Sequence, residues 1–177
     1  YKALRGLGLS VDILPPNQKD LTGYKIVLAP GLMHFDTDLK VAIESFEGVL
    51  ISGPRSGSKT LDMAIPKDLP PEVPGVVGTV ASVESLRPNA SILIKAGGSF
   101  NRWMETLVDC DNIIEECEDG RPALIGQTNR LYLTGWGNQM AFTTRFRDAC
   151  LAQNISTMYL LDCGLVREQY KHRLWSN

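Results

Sequence analysis

A stretch near the start of the chain decides the fold: residues 24–52 read YKIVLAPGLMHFDTDLKVAIESFEGVLIS. Its first apolar run, residues 24–29, contains β-branched residues and stops at a Pro-Gly pair, which predicts a buried strand. Asp36 is a good helix N-cap, and apolar residues then recur at helical spacing as far as Phe46. A second apolar run follows at residues 48–52. Strand, helix and strand with short connections predict a parallel βαβ unit.

The chain before this unit is predicted to hold the end of a helix and one further strand. Residues 1–7 have the pattern of the last turns of a helix, and Gly8 suits the left-handed position just past a helix end. Residues 11–14 predict a strand that a Pro-Pro pair stops. No strand precedes the helix, and residues 170–175 alternate polar and apolar without reaching a turn. We therefore expect that both ends were cut from a longer chain.

The chain after this unit changes character twice. Residues 53–77 hold five prolines, which lack backbone donors, so we predict a long irregular loop that is functional or covers an interface. Polar and apolar residues then alternate between turn signals such as Asp119-Gly120, which predicts an antiparallel meander beside the parallel unit. Residues 98–118 fit either strands or a partly ordered flap. A helix with one apolar face is predicted over residues 139–153.

The composition is that of one globular domain, and it excludes several classes of function. The 177 residues are 44% hydrophobic and 21% charged, with a net charge of −2 and no run of basic residues. Without a cluster of basic residues the sequence does not indicate nucleic-acid binding, and the apolar runs are too short for a transmembrane helix. The four cysteines lack CxxC spacing and there are two histidines, so we expect no metal and no cofactor. With idle thiols and no visible secretory leader, we expect a cytoplasmic protein.

The loop at residues 53–60, GPRSGSKT, is the candidate functional site. It follows a predicted strand, as a phosphate-binding loop does. Ser58, however, replaces the second glycine of that motif, and Pro54 removes a backbone donor. We interpret the loop as a tight, hydrogen-bonded turn, from which Arg55 and Lys59 are able to contact carboxylates of a partner.

Three other groups of residues have a chemical interpretation beside a structural one. The turn after Ser52 has the place of a nucleophile elbow, but it holds no cysteine, and His34 has no recognisable partner. One interpretation of the acidic residues between 109 and 119 is a pair of glycosidase carboxylates. The preferred interpretation is a charged hairpin that resists aggregation. The three tryptophans suit sugar stacking or an interface, with core packing as the default.

Several spaced blocks of the sequence agree in order with one known family. They read YKALRGLGL at 1–9, VDILPP at 11–16, DLTGYKIVLAP at 20–30, GPRSGSKT at 53–60, IP at 65–66, LPP at 69–71 and VESLRP at 83–88. With these blocks the chain resembles the trimerisation domain of glycoside hydrolase family 42 β-galactosidases. The likeness extends over nearly the whole chain and is least characteristic at residues 98–118 and in the last dozen residues.

This resemblance implies a class I glutamine amidotransferase-like, flavodoxin-like α/β fold. It would be a three-layer sandwich with the antiparallel meander added and the first strand missing before Tyr1. The catalytic cysteine of that superfamily is lost in this branch, and Gly53-Pro54-Arg55 stands at the elbow here. Galactosidase activity in the family resides in a separate (β/α)₈ barrel with two catalytic glutamates and a retaining mechanism. Such a barrel takes about 250 residues, so this chain cannot hold one beside the domain predicted here.

The function implied is that of a single non-catalytic trimerisation domain over residues 1–177, whose partners are further copies of itself and the catalytic barrel. We expect a set of five loop residues to contact another copy or the barrel: Arg55, Ser56, Ser58, Lys59 and Thr60. The alternative hypothesis is a stand-alone amidotransferase-like domain. Its degenerate site near His34 and Ser56 would bind a small polar metabolite.

Overall fold

The computed structural model describes residues 1–66 and 72–157, and this part of the chain forms three helices and nine strands. In chain order the elements are α1 (Lys2–Gly6), β1 (Ile26–Ala29), α2 (Thr37–Ser45), β2 (Val49–Ser52), β3 (Thr79–Ser85), β4 (Ile92–Leu93), β5 (Ser99–Val108), β6 (Ile113–Glu116), β7 (Pro122–Gln127), β8 (Arg130–Leu133), β9 (Gly135–Gly137) and α3 (Gln139–Ala152). None of these helices is long and apolar enough to cross a membrane.

The main sheet has five strands in the order β1-β2-β8-β7-β6. Strands β1 and β2 are parallel, with Ile26 opposite Val49, and they confirm the predicted βαβ unit. Strand β8 also runs parallel to β2, while β6, β7 and β8 follow one another as antiparallel hairpins. The later strands of the predicted meander therefore lie beside the parallel unit and extend the same sheet, because β8 pairs with β2.

Helices cover both faces of the main sheet. Val49 and Ile51 point to one face and share a buried cluster with α1 and α3. Leu50 points to the opposite face and lies in a second cluster with Leu39 and Ile43 of α2. Because neighbouring side chains of a strand alternate between faces, an unbroken apolar strand such as β2 requires cover on both sides. The result is a mixed α/β fold.

A second sheet joins residues that the sequence pattern left undecided. It has the order β3-β5-β4, and β9 pairs with β5. Within residues 98–118, the ten-residue strand β5 forms the centre of this sheet, so this part of the segment is a strand and not a flap. Phe100 and Met104 of β5 enter the cluster of α1 and α3, whereas Leu107 enters the cluster of α2. The second sheet therefore packs against both halves of the core.

The caps of the two longer helices follow the sequence signals. The carboxylate of Asp36 accepts a hydrogen bond from the backbone N–H of Leu39 at 2.8 Å, as the prediction of an N-cap requires. Asn138 does the same for α3, accepting from the N–H of Ala141 at 2.9 Å. Helix α3 spans Gln139–Ala152, in agreement with the predicted helix to within one residue.

The predicted strand at residues 11–14 is wrong. These residues form no strand, although their apolar pattern suits one. A groove of about 940 Å³ lies between this segment and β1, and residues of both line it. A strand exists only where a neighbour exchanges backbone hydrogen bonds with it, and none of the described strands pairs with residues 11–14. The prediction for residues 170–175 lies outside the described residues.

Candidate functional site at the turn after β2

The candidate site is the turn that follows β2, beside the carboxyl ends of β1 and β2. The N–H of Ser56 donates to the carbonyl of Gly53 at 3.1 Å, which closes a tight turn directly after the strand. Arg55 lies at the tip of this turn with a φ of 69°, in the left-handed region that non-glycine residues rarely adopt. Its side chain is exposed. The backbone therefore has the sharp, strained form of an elbow, with arginine where a nucleophile would stand.

Ser56 fastens the turn to the neighbouring strand. Its hydroxyl donates to the carbonyl of Ala29 at 2.8 Å and accepts from the N–H groups of Gly31 at 3.2 Å and Gly53 at 3.3 Å. A hydroxyl has one donor and two acceptor positions, so all three are in use. The side chain is also buried. The expected contact of Ser56 with a partner does not fit this geometry, and neither does a metabolite bound to its hydroxyl.

A buried glutamate, Glu105 of β5, holds the turn from the other side. Its Oε1 accepts from the backbone N–H of Arg55 at 2.8 Å and from Trp103 Nε1 at 3.3 Å, while its Oε2 accepts from the hydroxyl of Tyr132 at 2.6 Å. Burial raises the pKa of this carboxyl, and the three donors act in the opposite direction. Glu105 thus connects the second sheet, the main sheet and the elbow.

Sequence reasoning missed Glu105. One signal was available, because the alternation Trp103, Glu105, Leu107 places a charged residue on an apolar face of a strand. That signal does not identify the partners. The donors come from positions 55 and 132, which are 50 and 27 residues away along the chain.

The guanidinium of Arg55 lies over the ring of Trp103, with its central carbon 5.5 Å from the ring centroid. This is a cation–π arrangement, worth about 0.5–1 kcal/mol at an exposed position. One terminal nitrogen of Arg55 also lies 3.9 Å from the sulfur of Met33. A second tryptophan, Trp136, packs against the turn after β1, where a Cβ added to Gly31 would meet its ring at 3.3 Å. Two of the three tryptophans therefore border the site.

The remaining loop residues shape the backbone. Ser58 donates its hydroxyl to the carbonyl of Arg55 at 2.6 Å, and the N–H of Lys59 donates to the carbonyl of Met33 at 2.9 Å. The hydroxyl oxygen of Thr60 accepts from the N–H of Ala64 at 3.1 Å. Ser58, Lys59 and Thr60 are all partly exposed. The five residues expected at an interface thus share one loop, in which Arg55 and Lys59 carry the charge.

Among the residues that the structure describes, no hydrogen bond joins His34 to a serine or cysteine side chain. His34 lies beside the loop with Nδ1 3.2 Å from the carbonyl oxygen of Lys59. Cys117 and Cys150 are buried thiols, as the sequence predicts, and burial raises the pKa of Cys117 to about 11. A thiol with so high a pKa is not a nucleophile at neutral pH. Within residues 1–66 and 72–157 no group of three or more candidate ligands is placed to hold a metal ion.

Three of the acidic residues between 109 and 119 are paired with cations. Glu116 lies 2.5 Å from Lys95 and Asp119 lies 2.7 Å from Arg121, both at the surface. Glu115 differs from them because it forms an ion pair with Arg145, which is buried. The prediction of a charged hairpin is confirmed for the surface pairs. It is wrong for Glu115, whose role is to neutralise a buried cation.

Comparisons with known proteins give one consistent result. A family model described as "Beta-galactosidase trimerisation domain" matches residues 1–144. A β-galactosidase of Thermus thermophilus is 37% identical over 143 residues, which cover 77% of this chain and 22% of that protein. The β-galactosidase Bga of Halorubrum lacusprofundi is 31% identical over 154 residues and is likewise covered to 22%. This chain therefore spans about a fifth of the length of these relatives.

Solved structures agree with these relatives. The β-galactosidase of the psychrophilic Marinomonas ef1 superposes with a TM-score of 0.84 at 31% identity, over 90% of this chain and 25% of that chain. The β-galactosidase of Bacillus circulans sp. alkalophilus gives a TM-score of 0.76 at 17% identity, over 88% of this chain and 26% of that chain. The second likeness concerns the fold alone.

Proposed function

The chain belongs to the β-galactosidase trimerisation domain family, and from this premise we propose that it is the non-catalytic oligomerisation domain of a β-galactosidase. The observation that carries the proposal is the family match over residues 1–144. The relatives are β-galactosidases of which this chain spans about a fifth. In the proposed arrangement, hydrolysis of terminal β-galactosides takes place in a separate barrel, and this domain joins three subunits.

The chemistry of the elbow supports a non-catalytic role. Arg55 occupies the tip of the turn, and its backbone N–H is bonded to Glu105. An acyl-transfer site needs a nucleophile at such a tip and free backbone donors for the developing negative charge. Here the tip carries a cation, and the Arg55 N–H is already used. The turn has the properties of a rigid support for an exposed arginine.

We propose that the loop at residues 53–60 lies at a subunit or barrel contact. Arg55 and Lys59 would touch the partner, since they are the cationic side chains of the loop. Ser56, Ser58 and Thr60 would act indirectly, because their hydroxyls are bonded to the loop's own backbone or to β1 and the residues that follow it. Arginine and aromatic side chains are both enriched among the anchor residues of protein interfaces.

We further propose a flavodoxin-like, class I glutamine amidotransferase-like fold for the chain as a single domain. Support comes from the helices on both faces of the sheet and from the elbow after β2. The outer edge of β1 borders the groove that residues 11–14 also line. In this proposal the first strand of the fold occupies that groove and pairs with β1. The proposed location is the cytoplasm.

The solution mass of the chain tests the proposed function. Light scattering over a wide concentration range is expected to give three times 19.5 kDa. A mass of 19.5 kDa at every concentration would contradict self-association by this domain. A thermal-shift screen with sugars and amino acids distinguishes the alternative hypothesis, since a ligand of the native state raises the melting temperature. We expect no shift at micromolar ligand.

A further inference from the structure

Two tryptophans of the second sheet lie next to each other beside the elbow. Met104 of β5 pairs with Gly135 of β9 in antiparallel orientation. Trp103 precedes Met104 and Trp136 follows Gly135, so the two tryptophans are adjacent across the strand pair. Because side chains alternate along a strand, both point away from the face of Met104. Each is half-buried, so this face of the sheet presents two indole rings to solvent in part.

The elbow and the residues after β1 complete this aromatic surface. The guanidinium of Arg55 lies over the ring of Trp103, with its central carbon 5.5 Å from the centroid, and one of its nitrogens lies 3.9 Å from the sulfur of Met33. Trp136 packs against Gly31, whose N–H is bonded to the turn after β2. The contacts join these side chains into one surface. We call Arg55, Trp103, Trp136 and Met33 the tryptophan patch.

Strand β3 extends the patch on the other side of β5. Val83 of β3 lies opposite Glu105 of β5 and is 52% exposed. It points to the same face as Trp103, because Glu105 and Trp103 are two residues apart in one strand. Tryptophan, methionine and arginine are enriched in the cores of protein interfaces, where lysine, glutamate and aspartate are depleted. The patch has this composition.

The tryptophan patch carries a cation without a counterion. In the parts of the chain that the structure describes, Arg55 forms no ion pair, either with Glu105 or with the exposed Asp62 further along its loop. Glu105 instead accepts from the backbone N–H of Arg55 and is buried. A guanidinium that stacks on an aromatic ring still presents its N–H edge, whose fork matches a carboxylate.

We propose that the tryptophan patch, together with Val83, is the centre of a contact with a second copy of this chain. The second copy places apolar groups against the indoles and a carboxylate on Arg55. Exposed carboxylates that form no ion pair among the described residues, such as Glu44 and Asp148, are available on each copy. In a ring of three subunits two different surfaces of each copy meet, so the patch receives a different surface of the next copy.

This inference rests on the proposed function, because Arg55 belongs to the loop proposed at the contact. It adds residues that lie far from that loop in sequence and moves the centre of the contact from the loop to the face of the second sheet. Covering Arg55 also covers Trp103, because the guanidinium lies on that ring.

A charge placed inside the proposed contact tests it. Val83→Lys is expected to raise the concentration at which half of the trimer dissociates by more than about tenfold, since an ammonium group would lose its water there. The matched control is Val41→Lys on α2, since Val41 is 58% exposed and lies outside the patch. It should dissociate like the unaltered chain. Light scattering over a range of concentrations gives the masses, and circular dichroism checks that each variant is folded.

Tryptophan emission gives a second measurement on the patch itself. The Trp175→Phe background leaves the emission of Trp103 and Trp136 alone. Their emission is expected to move to shorter wavelength over the concentration range in which the mass rises to three times 19.5 kDa, because assembly removes the indoles from water.

The outcomes separate this inference from the proposed function. A trimer without the emission shift, or a Val83→Lys trimer as stable as the unaltered one, would overturn the inference and leave the proposed function intact. An emission shift caused by lactose, with Val83→Lys assembling like the unaltered chain, would assign the patch to a sugar instead. A monomeric unaltered chain would contradict the proposed function, and this inference with it.

Discussion

Replacing Glu105 by alanine is expected to destabilise the domain by about 3–5 kcal/mol. The substitution removes the acceptor of three donors, the Arg55 N–H, the Trp103 Nε1–H and the Tyr132 hydroxyl. A buried donor left without a partner costs about 1–3 kcal/mol. The hydroxyl of Tyr132 is fully buried and belongs at the upper end of that range, whereas the donors of Arg55 and Trp103 are partly within reach of water. Domains of this size have a free energy of unfolding of about 5–15 kcal/mol, so the loss is large.

Glutamine at position 105 separates the loss of hydrogen bonds from the loss of charge. Its amide oxygen keeps the acceptor for Arg55 and Trp103, and its amide N–H donates to the hydroxyl of Tyr132, which is able to accept. We therefore expect Glu105→Gln to cost less than about 1.5 kcal/mol, the difference between a charged and a neutral acceptor. Glu84→Ala is the matched control on β3, because Glu84 pairs with Arg121 at the surface.

The free energy of unfolding of the unaltered chain, relative to that of Glu105→Gln, depends on pH with a definite sign. The pKa of Glu105 is raised above 4.5 by burial, so the folded state holds the proton to a higher pH than the unfolded state does. This group therefore stabilises the protein most at acid pH, and its contribution falls as the pH rises from about 4.5 through the folded pKa. The free energy of unfolding of the unaltered chain, relative to Glu105→Gln, should decrease over that interval.

Urea unfolding at one fixed protein concentration measures all three effects, with tryptophan fluorescence as the signal. Two results would refute the reasoning. One is a loss below about 1 kcal/mol for Glu105→Ala, which would mean that the three donors find water. The other is an equal loss for the alanine and glutamine variants, which would mean that the charge, and not the set of acceptors, supports the elbow.

Three further substitutions test other contacts by the same urea assay. Ser56→Ala should cost about 2–4 kcal/mol, because it removes three hydrogen bonds of a buried hydroxyl, whereas Ser56→Thr keeps the hydroxyl and should cost less if the site accepts a methyl group. Glu115→Ala should cost about 3–5 kcal/mol, since it leaves Arg145 as an unpaired buried charge. Glu116→Ala, at a neighbouring surface position, should cost less than about 1 kcal/mol. Equal losses would contradict the role of burial. Asp36→Ala should cost about 1 kcal/mol through the lost cap of α2, and Asp36→Ser should recover most of it.

The parts of the fold that sequence predicts are those set by neighbouring residues. The cap at Asp36, the helical spacing that follows it and the apolar run of β2 lie within 17 residues of one another, and each has a local cause. The strand β5 has a clear alternation too, but its place at the centre of a second sheet depends on β3, β4 and β9. Residues 11–14 show the reverse case. Their pattern suits a strand, yet strand formation requires a paired neighbour, and sequence pattern does not report neighbours.

The candidate site divides in the same way. The position of Arg55 after a strand could be predicted, because a strand followed by a Gly-rich turn is a local pattern. The exposure of its side chain agrees with the sequence interpretation, in which Arg55 is able to contact a partner. The burial of Ser56 was not predictable, since it depends on which groups lie across the turn. Glu105 is the extreme case, because two of its three donors lie on β8 and on the turn after β2, far from it along the chain.

The contacts that hold Arg55 in place affect binding in a way that its charge alone does not, because they limit its conformational freedom before a partner arrives. A flexible surface side chain gives up about 0.5–1.5 kcal/mol of conformational freedom when a partner immobilises it. The backbone of Arg55 is already fixed by the bond from its N–H to Glu105, and its guanidinium is placed on Trp103. Part of this conformational freedom is therefore already lost when the domain folds, before a partner binds. A turn whose strain would position a nucleophile here positions an arginine, and in the proposed contact the same backbone geometry would serve recognition of a partner.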